Sequence, residues 1–182
     1  MRSKAMSLSA VFVLVASATA CADNASVKRE LIAGFNKRVA QYRAKDIRGF
    51  MTMYASDFKG MNPGGRPTSK KQIERDMGQA MKDTKSLDSA SISIDKLTTK
   101  GLKANVESTM TLNIHVVDSV GELGVRGKIH TLTIVERARE LWVKTKAGWQ
   151  VKTSTPLPGD KMIVDGKSFP SAPPPRPKSN KR

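Results

Sequence analysis

The sequence predicts an α+β domain in which three N-terminal helices pack on one face of a curved antiparallel sheet. Three observations carry this. Apolar residues recur at helical spacing from Val27 to Met81, the pattern changes to alternation after Thr84, and the alternating part closes as two hairpins whose apolar sides agree.

The first helix runs from about Asp23 to Lys45. Val27, Leu31, Phe35, Val39 and Tyr42 form one stripe along it, and Asp23 or Asn24 is available as its cap. Asp46 opens a second, shorter helix, DIRGFMTMYAS, with Ile47, Phe50, Met53 and Tyr54 at helical spacing and an end near Asp57. The segment FKGMNPGGRPT then carries enough glycine and proline for a short strand and a turn. Ser69 with Gln72 makes a capping box that opens the third helix, whose buried side is Ile73, Met77 and Met81.

In the second half, Ile92 and Ile94 alternate with Ser91, Ser93 and Asp95, and Lys100-Gly101 marks a turn. ANVESTMTLNIHV sets Val106, Met110, Leu112, Ile114 and Val116 on one face. The next run, GVRGKIHTLTIVERARELWVKT, is long for a strand and charged in its middle, which predicts a bend at a bulge. If Gly121-Glu122 is a two-residue turn, Ile114 faces Ile129 and Met110 faces Thr133. If Lys146-Ala147-Gly148 is a three-residue loop with positive φ at Gly148, then Leu141, Val143, Trp149 and Val151 share a face. Asp165-Gly166 signals a terminal hairpin.

The ends read differently from this core. MRSKAMSLSAVFVLVASATA has early cations, Arg2 and Lys4, then a short apolar run and small residues, the order of an export signal. The apolar run is shorter than the roughly 20 residues that span a bilayer. Cys21 is the only cysteine and follows this segment directly. Either an A-x-A site releases the protein, or ATAC acts as a bacterial lipoprotein box and Cys21 becomes a lipid anchor. Both place the protein outside the cytoplasm, periplasmic or tethered to a membrane. The expected division is a signal at 1–22, one domain at 23–169 and a basic, proline-rich tail at 170–182.

The chain carries 32 Lys and Arg against 16 Asp and Glu. Export and the lack of aromatic-basic interleaving argue against nucleic acid as a partner and leave weak contact with an anionic envelope surface. A glycine-rich phosphate loop, a serine nucleophile elbow, zinc-ligand spacing and internal repeats are all missing from the sequence, which argues against nucleotide-dependent and hydrolase readings. No cofactor or metal is expected.

The order of elements, with AKDIRGFMTMYASDFKG, the SKKQIERDM helix and the closing LWVKTKAGWQV, resembles the nuclear transport factor 2-like superfamily in its SnoaL-like branch, over residues 27–155. The resemblance implies a cone, a strongly bent sheet wrapped around the helices with a pocket at the wide end. Such families include isomerase-like, polyketide cyclase-like and dehydratase enzymes that use Asp, His or Tyr in an apolar cavity, and members that only bind or assemble. Many dimerise through the outer sheet face.

Set on this frame, Phe35, Tyr54, Phe58, Met77, Met81, Met110 and Leu112 are expected to line the pocket and to suit a small apolar molecule, unless they fill the cone completely. The candidate proton carriers are Tyr42, Tyr54, Asp57, His115 and His130. In the expected register the two histidines are diagonal neighbours on the outer face, where Leu132, Ile134 and Trp142 would form a homodimer patch. The sequence thus favours a ligand-binding or dimeric module of the cell envelope, with an acid-base enzyme of the ketosteroid isomerase, polyketide cyclase or dehydratase type as the alternative.

Overall fold

The computed structural model describes residues 24–169. The export segment, Cys21 and the tail lie outside the described residues. The chain forms α1 (Asn24–Arg43), α2 (Ile47–Met51), β1 (Tyr54–Met61), β2 (Pro67–Ser69), α3 (Lys70–Asp83), β3 (Thr84–Lys100), β4 (Lys103–Val117), β5 (Ile129–Thr145), β6 (Gly148–Pro156), β7 (Lys161–Val164) and β8 (Lys167–Phe169). The class is α+β. A small β1–β2 hairpin stands between α2 and α3, so the helices do not all precede the strands. No helix among the described residues is long and apolar enough to cross a membrane.

The sheet is mixed, a correction to the all-antiparallel expectation. Its strands run in the order β2-β1-β6-β5-β4-β3, and β1 lies parallel to β6. That pairing also shortens the second helix. Thr52 ends α2 by donating its hydroxyl to the Gly49 carbonyl at 2.6 Å, and the Met53 carbonyl then accepts from Val151 N at 2.7 Å. Tyr54 through Asp57, expected at a helix end, are therefore strand.

Local caps follow the sequence closely. Asp46 accepts from Gly49 N at 2.9 Å and Ser69 Oγ accepts from Gln72 N at 3.3 Å. The Gln72 side chain does not complete the box, bonding Asp76 and Arg75 instead. Asn24 lies within α1, and its side chain accepts from the Thr99 hydroxyl at 2.7 Å, tying the helix to β3.

The turn after β3 falls at Gly101, φ +58°, as expected, and the β7–β8 turn uses Asp165 and Gly166, both at positive φ. Gly148 also has positive φ, but it pairs with Thr145, so that loop has two residues rather than three. A bulge between Leu141 and Trp142 then puts Trp142 opposite Val151, both buried, in place of the face expected for Leu141 and Val143.

The main correction is the register of β5. Ile114 pairs with Leu132 and Met110 with Glu136, three residues away from the expected partners. An odd slip reverses the faces of a strand. Its cause is the segment 118–128, which is no two-residue turn. Asp118, only 3% exposed, accepts from Gly121 N at 2.6 Å and Leu123 N at 2.9 Å, and its own carbonyl receives Gly127 N at 2.7 Å. One buried carboxylate thus folds the whole connection back on itself.

β5 also changes partners along its length. Residues 132–135 pair with β7 and residues 138–145 with β6. At the gap between them the connector 157–160 takes over, with Asp160 Oδ1 accepting from Arg137 N at 2.7 Å and Leu157 N donating to the Arg137 carbonyl at 2.8 Å.

Two buried clusters result. One gathers Val27, Leu31, Phe50, Tyr54, Met81, Val106, Trp142 and Val151 under the helices; the other joins Ile114, Leu132 and Val164 at the far end of the sheet.

Candidate functional site

Between these clusters lies a cavity of about 400 Å³. Helix α1 sends Leu31, Phe35, Arg38 and Tyr42 into it, residues that its 3.6-residue period places on one face. β4 contributes Val106, Ser108, Met110, Leu112 and Ile114, the even-numbered side of the strand. On β5, Ile134, Glu136, Ala138 and Glu140 stand opposite Leu112, Met110, Ser108 and Val106, and Trp142 follows on the same side, opposite Ala104. From the β1–β2 hairpin, Met61, Asn62, Pro63 and Thr68 border the same space.

The walls are chiefly apolar, which makes the polar groups conspicuous. Arg38 leans over Phe35 and Phe50, its guanidinium carbon 5.4 and 5.7 Å from the ring centroids. Its Nη2 reaches the Met110 sulfur at 3.9 Å, and among the described residues it has no carboxylate within ion-pair distance. Glu140 Oε2 accepts from Trp142 Nε1 at 2.9 Å. Burial holds the Glu140 carboxyl above its ordinary pKa, against the opposing pull of Arg38 and of hydrogen bonds from Trp142 and Ser154.

Glu136 differs. It keeps an exposed surface toward the cavity space, yet enough protein surrounds the carboxyl that burial raises its pKa; Arg38 lowers it, and Asp160 and Glu140 raise it further. Both phenols in the cavity are also raised, chiefly by burial: Tyr54, which Arg38 pulls the other way, and Tyr42, whose hydroxyl lies 2.7 Å from Thr84 Oγ1. Tyr42, Phe50, Tyr54 and Phe58 form a chain of rings with centroids 6.3, 6.3 and 5.0 Å apart.

Of the residues expected to line the pocket, Phe35, Tyr54, Met77, Met110 and Leu112 do border the cavity, while Phe58 and Met81 are buried in the core beside it. Asp57 is on the exposed side of β1, paired with Lys152 at 3.0 Å, and does not line the cavity. The histidines are separated by the register: His115 pairs with the exposed Asp88 at 2.9 Å on the outer face. His130 is 4% exposed on the opposite face, with Nδ1 2.8 Å from Asp165. The same reversal moves the residues expected to form a dimer patch: Ile134 and Trp142 line the cavity, and Leu132 is buried in the far cluster.

The charged residues that line the cavity, Arg38, Asp76, Glu136 and Glu140, were not legible as a site from the sequence. The signal was present. Glu136 and Glu140 share the parity of Leu132, Ile134 and Trp142, so once these apolar residues point inward the two carboxyls must as well. Arg38 lies one position before Val39 and three after Phe35, still within the buried stripe of α1.

No family model matches the sequence, and no curated protein matches it significantly. Solved structures do. A protein from Novosphingobium aromaticivorans named as a candidate scytalone dehydratase superposes with TM-score 0.62, at 10% identity, over 83% of this chain and 94% of that one. A nuclear transport factor 2-like superfamily protein from Salmonella enterica gives 0.54, at 18% identity, over 73% and 91%. A candidate dehydratase of the same family from Streptomyces avermitilis gives 0.52, at 12% identity, over 75% and 99%. At these identities the likeness is one of architecture, and the chain has the nuclear transport factor 2-like fold.

Proposed function

We propose that the cavity is an acid-base catalytic site for a small, largely apolar molecule. The observation that carries this is the inward pair Glu136 and Glu140, both with raised pKa, in apolar walls beside Arg38, which has no ion-pair partner among the described residues. A pure binding cavity does not require buried carboxyls, since each lowers stability once ionised. Raised carboxyls are suited to taking up and returning a proton near neutral pH.

Glu136 is the proton carrier in this reading, because among the described residues no hydrogen bond engages its carboxyl and it lines the cavity. Glu140, held by Trp142, sets the local field. Removal of a proton from carbon next to a carbonyl would place charge on the carbonyl oxygen, where the Tyr54 hydroxyl serves as donor and the Arg38 charge stabilises the product. The dehydratases among the structural neighbours support this class of chemistry. The N-terminal pattern around Cys21 supports export as its setting.

The test is proton exchange at carbon. The purified protein is incubated with a panel of small ketones and keto acids in deuterated buffer and followed by NMR. Exchange faster than in buffer alone, falling roughly 10²- to 10⁴-fold in Glu136→Gln, is expected. Exchange that is equal in buffer and protein, or unaffected by Glu136→Gln, would refute the assignment.

A further inference from the structure

We infer that the ligand of this cavity is a small amphiphilic carboxylate, its carboxylate held by Arg38 and its apolar body lying against the Met and Ile side chains of the cavity wall. This names the substrate class of the site and rests on the cavity being the working site.

The reasoning starts from Arg38. A guanidinium stays charged in proteins and carries five donors in a planar fork. Here the fork is half-buried among two aromatic rings, and the acceptors it meets are neutral: the thioether of Met110 at 3.9 Å, a weak one, and the Tyr54 hydroxyl, whose pKa Arg38 lowers. Glu136 and Glu140 lie near enough for Arg38 to lower their pKa values, yet neither comes within 4 Å to pair with it. Glu140 is directed to Trp142 instead. The chain therefore keeps its planar donor set open toward the cavity, and a planar anion with two oxygens satisfies that set best.

The surroundings fix the rest of the ligand. Met77, Ile92, Ile94 and Met110 offer an adaptable apolar surface that suits a hydrocarbon or aromatic body, and the nearby charge, Asp76, is bonded by Gln72 at 2.7 Å. Burial favours the neutral form of Glu140, which limits the negative charge beside the fork and leaves Glu136 as the proton acceptor. Phe35 and Phe50, stacked beneath the guanidinium, limit its swing and preorganise the fork.

The experiment compares 4-phenylbutyrate with its neutral amide, 4-phenylbutanamide, by isothermal titration calorimetry on the folded protein. The carboxylate is expected to bind roughly tenfold or more tightly than the amide. Arg38→Gln should abolish that preference, and Arg38→Lys, a point charge without the fork, should keep part of it. Thermal melts establish that each variant is folded; if Arg38→Gln is not, the reduced preference in Arg38→Lys carries the comparison. Equal or weaker binding of the carboxylate, no binding of either probe at millimolar concentration, or a preference that survives in a folded Arg38→Gln protein would overturn the inference. Carboxylate preference without proton exchange would refute the catalytic reading alone. Exchange on neutral ketones without carboxylate preference would refute the ligand class alone.

Discussion

Met110 and Glu136 stand directly opposite each other on β4 and β5, and Arg38 reaches from α1 to the Met110 sulfur at 3.9 Å. Met110 thus neighbours both, touching the helix cation through its sulfur and standing opposite Glu136 through backbone pairing. That arrangement makes Met110 a spacer. Met110→Ala should let Arg38 settle toward Glu136 and pair with it, lowering the Glu136 pKa and weakening carboxylate binding by several-fold. Titration of the Glu136 carboxyl by NMR in both proteins would check this.

Glu140 governs how stability responds to pH. Its folded pKa is raised above the unfolded value, as is that of Glu136. The unfolded chain then releases these protons first, so stability is fully present below about pH 4 for these groups and is lost as pH rises through their folded pKa values. Glu140→Gln preserves an acceptor for Trp142 and should flatten the decline. Urea unfolding across that range, wild type against variant, measures the difference.

Trp142 should behave as core. It is 5% exposed, lies beside Val151, and fills the inner end of the cavity wall. Trp142→Ala is expected to cost about 3–5 kcal/mol by chemical denaturation. A surface-patch tryptophan would lose far less.

Asp118 should hold the β4–β5 connection. Its carboxylate satisfies two backbone N–H groups from a nearly buried position. Asp118→Ala leaves those donors unpaired and should cost about 1–3 kcal/mol. Hydrogen exchange would accelerate at Gly121 and Leu123 before the strands themselves respond.

What the sequence made legible was local. Asp46 and Ser69 as caps, Gly101 and Asp165-Gly166 as turns, and the stripe from Val27 to Tyr42 each depend on a few neighbouring residues. The site depends on register, which is a long-range property. A glycine-rich segment such as 118–128 offers several turns to a reader, and only the buried Asp118 selects among them. Choosing the shortest turn shifted β5 by an odd number and sent Glu136, Glu140 and Trp142 to the wrong side. The end of α2 was hidden for a similar reason: Tyr54 continues the helical spacing, and the parallel partner that claims it lies almost a hundred positions later, at Val151.

The place where β5 exchanges β6 for β7 falls beside Glu136, and there the strand is steadied by the surface connector through Asp160 and Leu157. Glu136, the proposed proton carrier, is thus anchored from outside the cavity. Lengthening, shortening or restiffening that connector would shift the carboxyl relative to Arg38 while every wall residue stayed the same. Reactivity could then diverge between relatives with identical linings, and a designer seeking to retune the site would edit its exterior.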